Sequence, residues 1–228
     1  MLVGDSQHYE ATPKQNELSK ANKRGRPPAC LEKSMQTIKL KLVGQSPLLM
    51  HSDRFANPLD PATKAHKVLT SKRKKLDEDH ADIAKSEWLG SLYHDAEVGP
   101  FLPGLNVKSA LVGAAKIQKL GAAFKRGVLV LDDRCKLEYT GPRDPEKLYA
   151  DPRFVDARSV VVGTSRLIRY RPKFAGWSAT VNIMFSPEMV DRDDVIRAAE
   201  NAGLFVGLLD YRPEKGGAFG RFTVEVVE

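Results

Sequence analysis

The sequence has only two cysteines, Cys30 and Cys135, far apart and in no CxxC pair. That excludes a disulfide framework and leaves no zinc-finger spacing, so a reducing cytoplasm is the expected setting. No stretch approaches the roughly 18 consecutive apolar residues that span a bilayer. The opening MLVGDSQHYE also lacks the basic-then-apolar order of a secretory signal, so neither membrane insertion nor secretion is expected. The glycines near position 216 are not followed by the Lys-Ser/Thr pair of a phosphate-binding P-loop. There is no Ser/His/Asp or paired-carboxylate spacing either. His51, His66, His80 and His94 read as solvated side chains rather than a metal set, and no metal or cofactor is expected.

What the sequence does have is positive charge. Against 29 acidic residues stand 36 Lys and Arg, a net charge of +7, with an ordinary 42% of hydrophobic residues. A basic excess favours polyanionic partners through counterion release, but only the placement of the charges makes that specific. A length of 228 residues suits one core domain with an arm or a large insertion.

Residues 1–35 are rich in Lys, Asn, Gln, Ser, Pro and Glu without an apolar period, the composition of a disordered tail. Within it, Lys23-Arg24-Gly25-Arg26-Pro27-Pro28 resembles an AT-hook. There Arg24 and Arg26 would enter the narrow minor groove of A·T-rich duplex DNA, with Gly25 permitting close approach and Pro27 holding the chain extended. The alternative is a basic linker that adds only non-specific charge.

The folded body is expected to begin at residues 37–42, where Ile38, Leu40 and Leu42 alternate with Thr37, Lys39 and Lys41, a half-buried strand with a basic outer face. Residues 47–51 extend it after a bend at Gly44. An insertion at about 53–98 follows, with helices expected over 61–76 and 81–93. It carries the densest positive cluster, Lys72, Arg73, Lys74 and Lys75. This either grips a strand, with Phe55 and His66 nearby, or is a solvated helix face neutralised by Asp77, Glu78, Asp79 and Asp82.

Asn106 is placed to cap a helix whose apolar stripe includes Val107, Leu111 and Ala115 and whose polar face shows Lys108, Lys116 and Lys119. Strands are expected over 128–131, 135–139, 154–162, 166–171 and 177–185. A helix then runs from the N-cap Asp191 to a left-handed C-cap at Gly203, and a strand over 221–227 closes the chain. Without the insertion this order is the split βαβ of ferredoxin-like and RNA-recognition domains, an α+β fold.

Two strings carry a family resemblance. Residues 101–111, Phe-Leu-Pro-Gly-Leu-Asn-Val-Lys-Ser-Ala-Leu, resemble the first-helix signature of the RAMP superfamily, whose members bind CRISPR RNA. Residues 216–222, Gly-Gly-Ala-Phe-Gly-Arg-Phe, resemble its glycine-rich loop before the last strand, and the insertion resembles the thumb of the CRISPR backbone subunits. The resemblance covers residues 36–228. It implies a modified ferredoxin-like RAMP domain that coats a single strand of RNA or DNA and assembles along it as a homo-oligomer or filament. The AT-hook-like tail and the shortened glycine-rich loop depart from that pattern and point to a stand-alone relative of the kind a phage encodes, acting in a bacterial cytoplasm.

The expected interface is a basic and aromatic channel. Lys39, Lys41 and Lys108 would contact phosphates, extended by Arg158, Arg166, Arg169 and Arg171 with Tyr170 interleaved for stacking on bases. The same run reads alternatively as an edge strand with a solvated basic side. Around the glycine-rich loop, Gly216, Gly217 and Gly220 would present backbone N–H groups to phosphate, flanked by Arg212, Lys215 and Arg221; the alternative is a flexible hairpin. A RAMP-type endoribonuclease would draw on His51, His94, Asp53 or Asp60. A duplex DNA binder would use the tail, and a structural self-assembly protein would use the sheet alone.

Overall fold

A computed structural model describes residues 35–227. Alternation over 37–42 produces β1 (Gln36–Gly44), with Ile38, Leu40 and Leu42 buried and Lys39 exposed on the other face. β1 is followed by a short β2 (Leu48–Leu49), then by the helices α1 (Pro61–Thr70) and α2 (Asp77–Ser91), the short β3 (His94–Asp95) and β4 (Gly99–Pro103). Next come α3 (Gly104–Ala115), α4 (Gly121–Gly127), β5 (Val128–Val130), β6 (Arg134–Glu138) and α5 (Pro145–Ala150). The long hairpin of β7 (Val155–Val162) and β8 (Ser165–Phe174), then β9 (Ser178–Phe185), α6 (Arg192–Asn201) and β10 (Phe222–Val227), complete the chain.

The main sheet runs β10-β1-β9-β6-β4-β3, with β5 also on β9, and every adjacent pair is antiparallel. β1 is its spine, with Leu40 opposite both Val181 and Val226. β9 reproduces the alternation, its Ala179, Val181, Ile183 and Phe185 buried. Onto this apolar face α3 brings Val107, Leu111 and Ala114, and α6 brings Val195, Ala198 and Ala199, closing one core. The fold is α+β. β7 and β8 leave the main sheet and pair instead with β2, forming a projecting three-stranded unit. Trp88 of α2 anchors the inserted helices to its base by donating Nε1–H to the Phe154 carbonyl at 3.0 Å. Among the described residues no helix is long and apolar enough to cross a membrane.

Several local expectations are corrected. α1 starts where Asp60 caps Ala62 N–H and Pro61 supplies the first turn, but it stops at Thr70. Lys72, Arg73, Lys74 and Lys75 therefore lie in the connection to α2, not on a helix. α2 begins at Asp77 rather than 81, because Asp77, Glu78 and Asp79 complement the positive helix start and Asp79 accepts the Leu76 N–H at 2.9 Å. Asn106 does not cap α3. That helix begins at Gly104, whose N–H donates to the Asp133 carbonyl at 2.9 Å, so a neighbouring loop does the work of a cap.

Gly203 is not a left-handed C-cap. α6 continues through a π-helical turn (Ala202–Val206) and ends at Gly207, φ 73°. Gly203 is required for another reason: a Cβ there would lie 1.9 Å from the Phe222 carbonyl oxygen of β10. Gly203→Ala is therefore expected to destabilise the protein by roughly 2–3 kcal/mol through overpacking. Gly216→Ala, at a φ of 76° with open space around it, is expected to cost only about 1 kcal/mol. Urea midpoints of the two variants check this, and equal losses would refute the packing account.

Candidate nucleic-acid interface

The sheet separates the expected channel into different surfaces. Lys39 and Lys41 occupy the face of β1 opposite the buried Ile38, Leu40 and Leu42, whereas α3 packs on the buried face. Lys108 on α3 therefore cannot join them in one channel, because alternate residues of a strand point to opposite sides. On the open sheet face Lys39 faces Asn182, Lys41 faces Thr180, and Phe101 stands opposite Lys136 with the Arg134 guanidinium 5.8 Å from its ring centre.

Lys108 instead belongs to a groove between α3 and α4 of about 720 Å³, lined also by Lys116, Lys119, Lys125 and Arg212. Among the described residues none of the four lysines has an ion-pair partner. Lys119 adopts a left-handed conformation, φ 62°, which ends the helical run and turns the chain into α4. Lys125 joins the groove only through that turn, and nothing in its local sequence marks it. Lys116 and Lys119 were legible as the polar face of the helix.

The hairpin arginines are largely occupied. Arg158 donates to Asp156 at 2.5 and 2.7 Å, Arg169 to Glu87 at 2.6 Å, and Arg171 pairs with Asp210. Arg166, near the hairpin tip, is exposed and has no ion-pair partner among the described residues. Tyr170 is half-buried and donates its backbone N–H to Glu87 at 3.2 Å. In the insertion Lys72 pairs with Asp79 at 2.5 Å and Lys75 donates to the Lys72 carbonyl, which leaves Arg73 and Lys74 exposed.

The glycine-rich loop is a scaffold rather than an N–H cradle. The backbone N–H groups of Gly216, Gly217, Phe219 and Gly220 are already donated to the carbonyls of Pro213, Arg212, Tyr211 and Pro47. A Cβ at Gly217 would lie 1.7 Å from the Tyr211 oxygen, and one at Gly220 2.1 Å from the Leu208 oxygen. These glycines let the loop fold back on residues 208–212. Arg221 caps the π-helical turn, donating to the Leu204 carbonyl at 2.7 Å. The loop displays Lys215, Tyr211 and Phe219, and the Arg158 guanidinium stacks 4.5 Å from the Phe219 ring and 5.4 Å from the Tyr211 ring.

Beside the groove, sharing Ser109, Arg212 and Glu214 with it, is a cavity of about 240 Å³ lined by His51, Tyr93, Asn106 and Asp210. Of these only His51 is legible as a candidate in the sequence. The His51 side chain is 52% exposed, but its partial desolvation against the cavity wall, reinforced by Arg171, pushes the imidazole below 6.5, with Asp210, 4.0 Å away, partly opposing. Burial also raises the Tyr93 hydroxyl, with the nearby Asn106 and Ser52 partly opposing. The other catalytic candidates are elsewhere: His94 bonds the Arg143 carbonyl, Asp60 caps α1 and holds Arg54, and Asp53 opens a short 3₁₀ turn. Arg24, Gly25, Arg26 and Pro27 lie outside the described residues. No family model matches the sequence, and no curated protein matches it either.

His51 is expected to be neutral at pH 7, with its ring-proton NMR resonances titrating at a midpoint below 6.5. Arg171→Gln removes the neighbouring positive charge and is expected to move that midpoint up. A midpoint unchanged by the substitution would show that burial alone sets it.

Proposed function

We propose that the protein is a non-catalytic, RAMP-type nucleic-acid-binding protein that holds a single strand of RNA or DNA along the α3–α4 groove and the glycine-rich loop. The observation that carries this reading is the set Lys108, Lys116, Lys119 and Lys125, four cations on one concave surface without carboxylate partners among the described residues. An ion-paired cation gives little to a phosphate, whereas a free one releases counterions in full. The exposed Tyr211 and the Arg158–Phe219 stack at the end of the loop supply flat surfaces for unstacked bases. The strand order β10-β1-β9-β5/β6, with α3 and α6 on one face, is consistent with the ferredoxin-like arrangement of RAMP domains. Self-assembly along the strand is supported by the exposed Val161, Leu167 and Ile168 on the β7–β8 hairpin.

A second reading, strand cleavage, rests on one observation: a neutral His51 beside Tyr93 and Asp210 in a cavity that adjoins the groove. An end-labelled RNA recovered intact after long incubation rejects it. Cleavage lost in His51→Ala establishes it.

Fluorescence-polarisation titrations with single-stranded RNA, single-stranded DNA and mixed and A·T-rich duplexes across a salt series test the binding reading. Single strands are expected to bind with a salt slope of about −0.7 per phosphate contacted. Replacing Lys116, Lys119 and Lys125 by Gln is expected to reduce that slope by about two and to weaken binding at least tenfold, uniformly across sequences. Replacing Lys39 and Lys41 is expected to change it little. Absence of binding to every form at moderate salt would overturn the reading, and a larger effect from Lys39 and Lys41 would move the strand to the open sheet face. Loss of A·T-rich duplex binding on deletion of residues 1–35 would assign that activity to the tail.

A further inference from the structure

The groove and the cavity beside it share a wall but have opposite chemistry. The groove is cationic. The cavity is rich in acceptors, because Asp210 and Glu214 both line it. Each carboxylate commits one oxygen to an arginine: Arg171 pairs with Asp210 Oδ2, and Arg212 Nη2 donates to Glu214 Oε2 at 2.7 Å. Their other oxygens, Asp210 Oδ1 and Glu214 Oε1, accept no hydrogen bond among the described residues. A phosphate oxygen entering the cavity would face these two uncommitted acceptors, where the groove offers it lysines unpaired among the described residues. The cavity suits a neutral group that brings adjacent N–H donors and a flat apolar body. His51 and Tyr93 supply aromatic walls, and Ala110, Val206 and Leu209 apolar ones. Its volume of about 240 Å³ is many times that of one water, about 30 Å³ in the liquid.

We propose that this cavity receives one nucleobase turned out of the strand held in the groove, and that the base it selects is guanine. This rests on the strand-binding reading above. A base leaving the stack exposes its Watson–Crick edge for hydrogen bonding, and single-stranded segments lose little in giving it up. Of the four bases, only guanine presents two neighbouring N–H donors on that edge, N1–H and the N2 amino group, to meet the two uncommitted oxygens, Asp210 Oδ1 and Glu214 Oε1. Adenine and cytosine place an acceptor nitrogen beside their amino group, and uracil flanks its one N–H with carbonyls, so each sets a lone pair against one of these oxygens. The guanine O6 accepts from a donor, and Arg212 and Asn106, both lining the cavity, are the donors available. The shared residues Ser109, Arg212 and Glu214 form the threshold between phosphate track and base site.

The test compares binding of the full chain to uniform uridine strands that carry one central guanosine, adenosine or cytidine. The guanosine strand is expected to bind about tenfold more tightly than the uridine strand, the discrimination of one bidentate base contact. Asp210→Asn is expected to abolish this ratio while the uridine strand still binds. Ser109→Trp, an exposed helix position whose new ring fills the mouth of the cavity, is expected to abolish it too. The ratio, not the absolute affinity, is read, so a change in general binding caused by freeing Arg171 does not confuse the result. Equal affinity for all strands in the unaltered protein, with binding intact, overturns the guanine site alone. Absence of binding to every strand overturns the strand-binding reading and this proposal with it. A guanosine preference that survives both substitutions places the recognition elsewhere and overturns the assignment to this cavity.

Discussion

The hydrogen-bonded seam between residues 44–50 and the loop 207–221 holds the loop side of the candidate interface in place. Gly220 N–H donates to Pro47, Asp210 N–H to Leu49, Gln45 N–H to Arg221, and Arg221 N–H to the Ser46 hydroxyl, all at 2.8 to 3.0 Å. Trp177, just before β9, closes the seam, donating Nε1–H to the Ser46 carbonyl at 2.9 Å while lying where any Cβ at Gly44 would be. This seam aligns Asp210 with Arg171 of β8, Tyr211 and Phe219 with Arg158 of β7, and Arg212 with the end of the α3–α4 groove. Backbone geometry rather than side-chain charge therefore fixes the site. Leu209 and Tyr211 accept positive φ values of 60° and 52° to make the turn. Such conformations cost of order 1 kcal/mol each for residues with a Cβ and persist only where the surroundings enforce them.

Given that frame, ion pairing decides which cations face outwards with usable charge. Arg169 and Glu87 form a partly buried pair, with side chains 37% and 11% exposed. Breaking one partner of a buried pair costs several kcal/mol because the other charge is stranded, so Arg169 is committed to structure. The pairs of Arg153 with Asp151 and Lys85 with Glu146 are solvent-exposed and screened, weak enough to exchange for a stronger anion. The groove lysines carry no such commitment. A count of positive residues does not separate the hairpin from α3 and α4; the pairing does, leaving the free charge of the groove on α3 and α4.

How much of this was legible in the sequence follows from which forces act locally. The alternation of β1 and β9 was visible because one face of each is buried and the other is not, and the start of α6 was visible because Asp191 caps its own helix, accepting the Asp194 N–H at 2.7 Å. The start of α3 and the end of α6 were misplaced because residues distant in sequence decide them: the Asp133 carbonyl accepts the Gly104 N–H of α3, and Arg221 bonds the Leu204 carbonyl of the π-helical turn while β10 crowds Gly203. The single channel from Lys39 to Lys108 failed because strand periodicity separates faces that the linear order does not. Lys125, Asp210 and Glu214 carry no local signal at all. Their roles exist only once the left-handed turn at Lys119 and the folded-back loop bring them beside α3.

The shared wall of groove and cavity then has a consequence that charge counting misses. Two unit charges 4 Å apart interact by about 1 kcal/mol in water and about 4 kcal/mol near a protein surface with an effective dielectric of 20. Arg212 lies on this wall with Glu214 bonded to it, so the pair presents a donor to one side and an acceptor to the other with little net charge. Without Glu214, Arg212 would draw phosphate over the threshold and into the cavity, where Asp210 would oppose it. In the proposed binding mode, Glu214 thus keeps Arg212 from adding a free cation at the wall, and the charge left unpaired there among the described residues lies with the lysines of the groove.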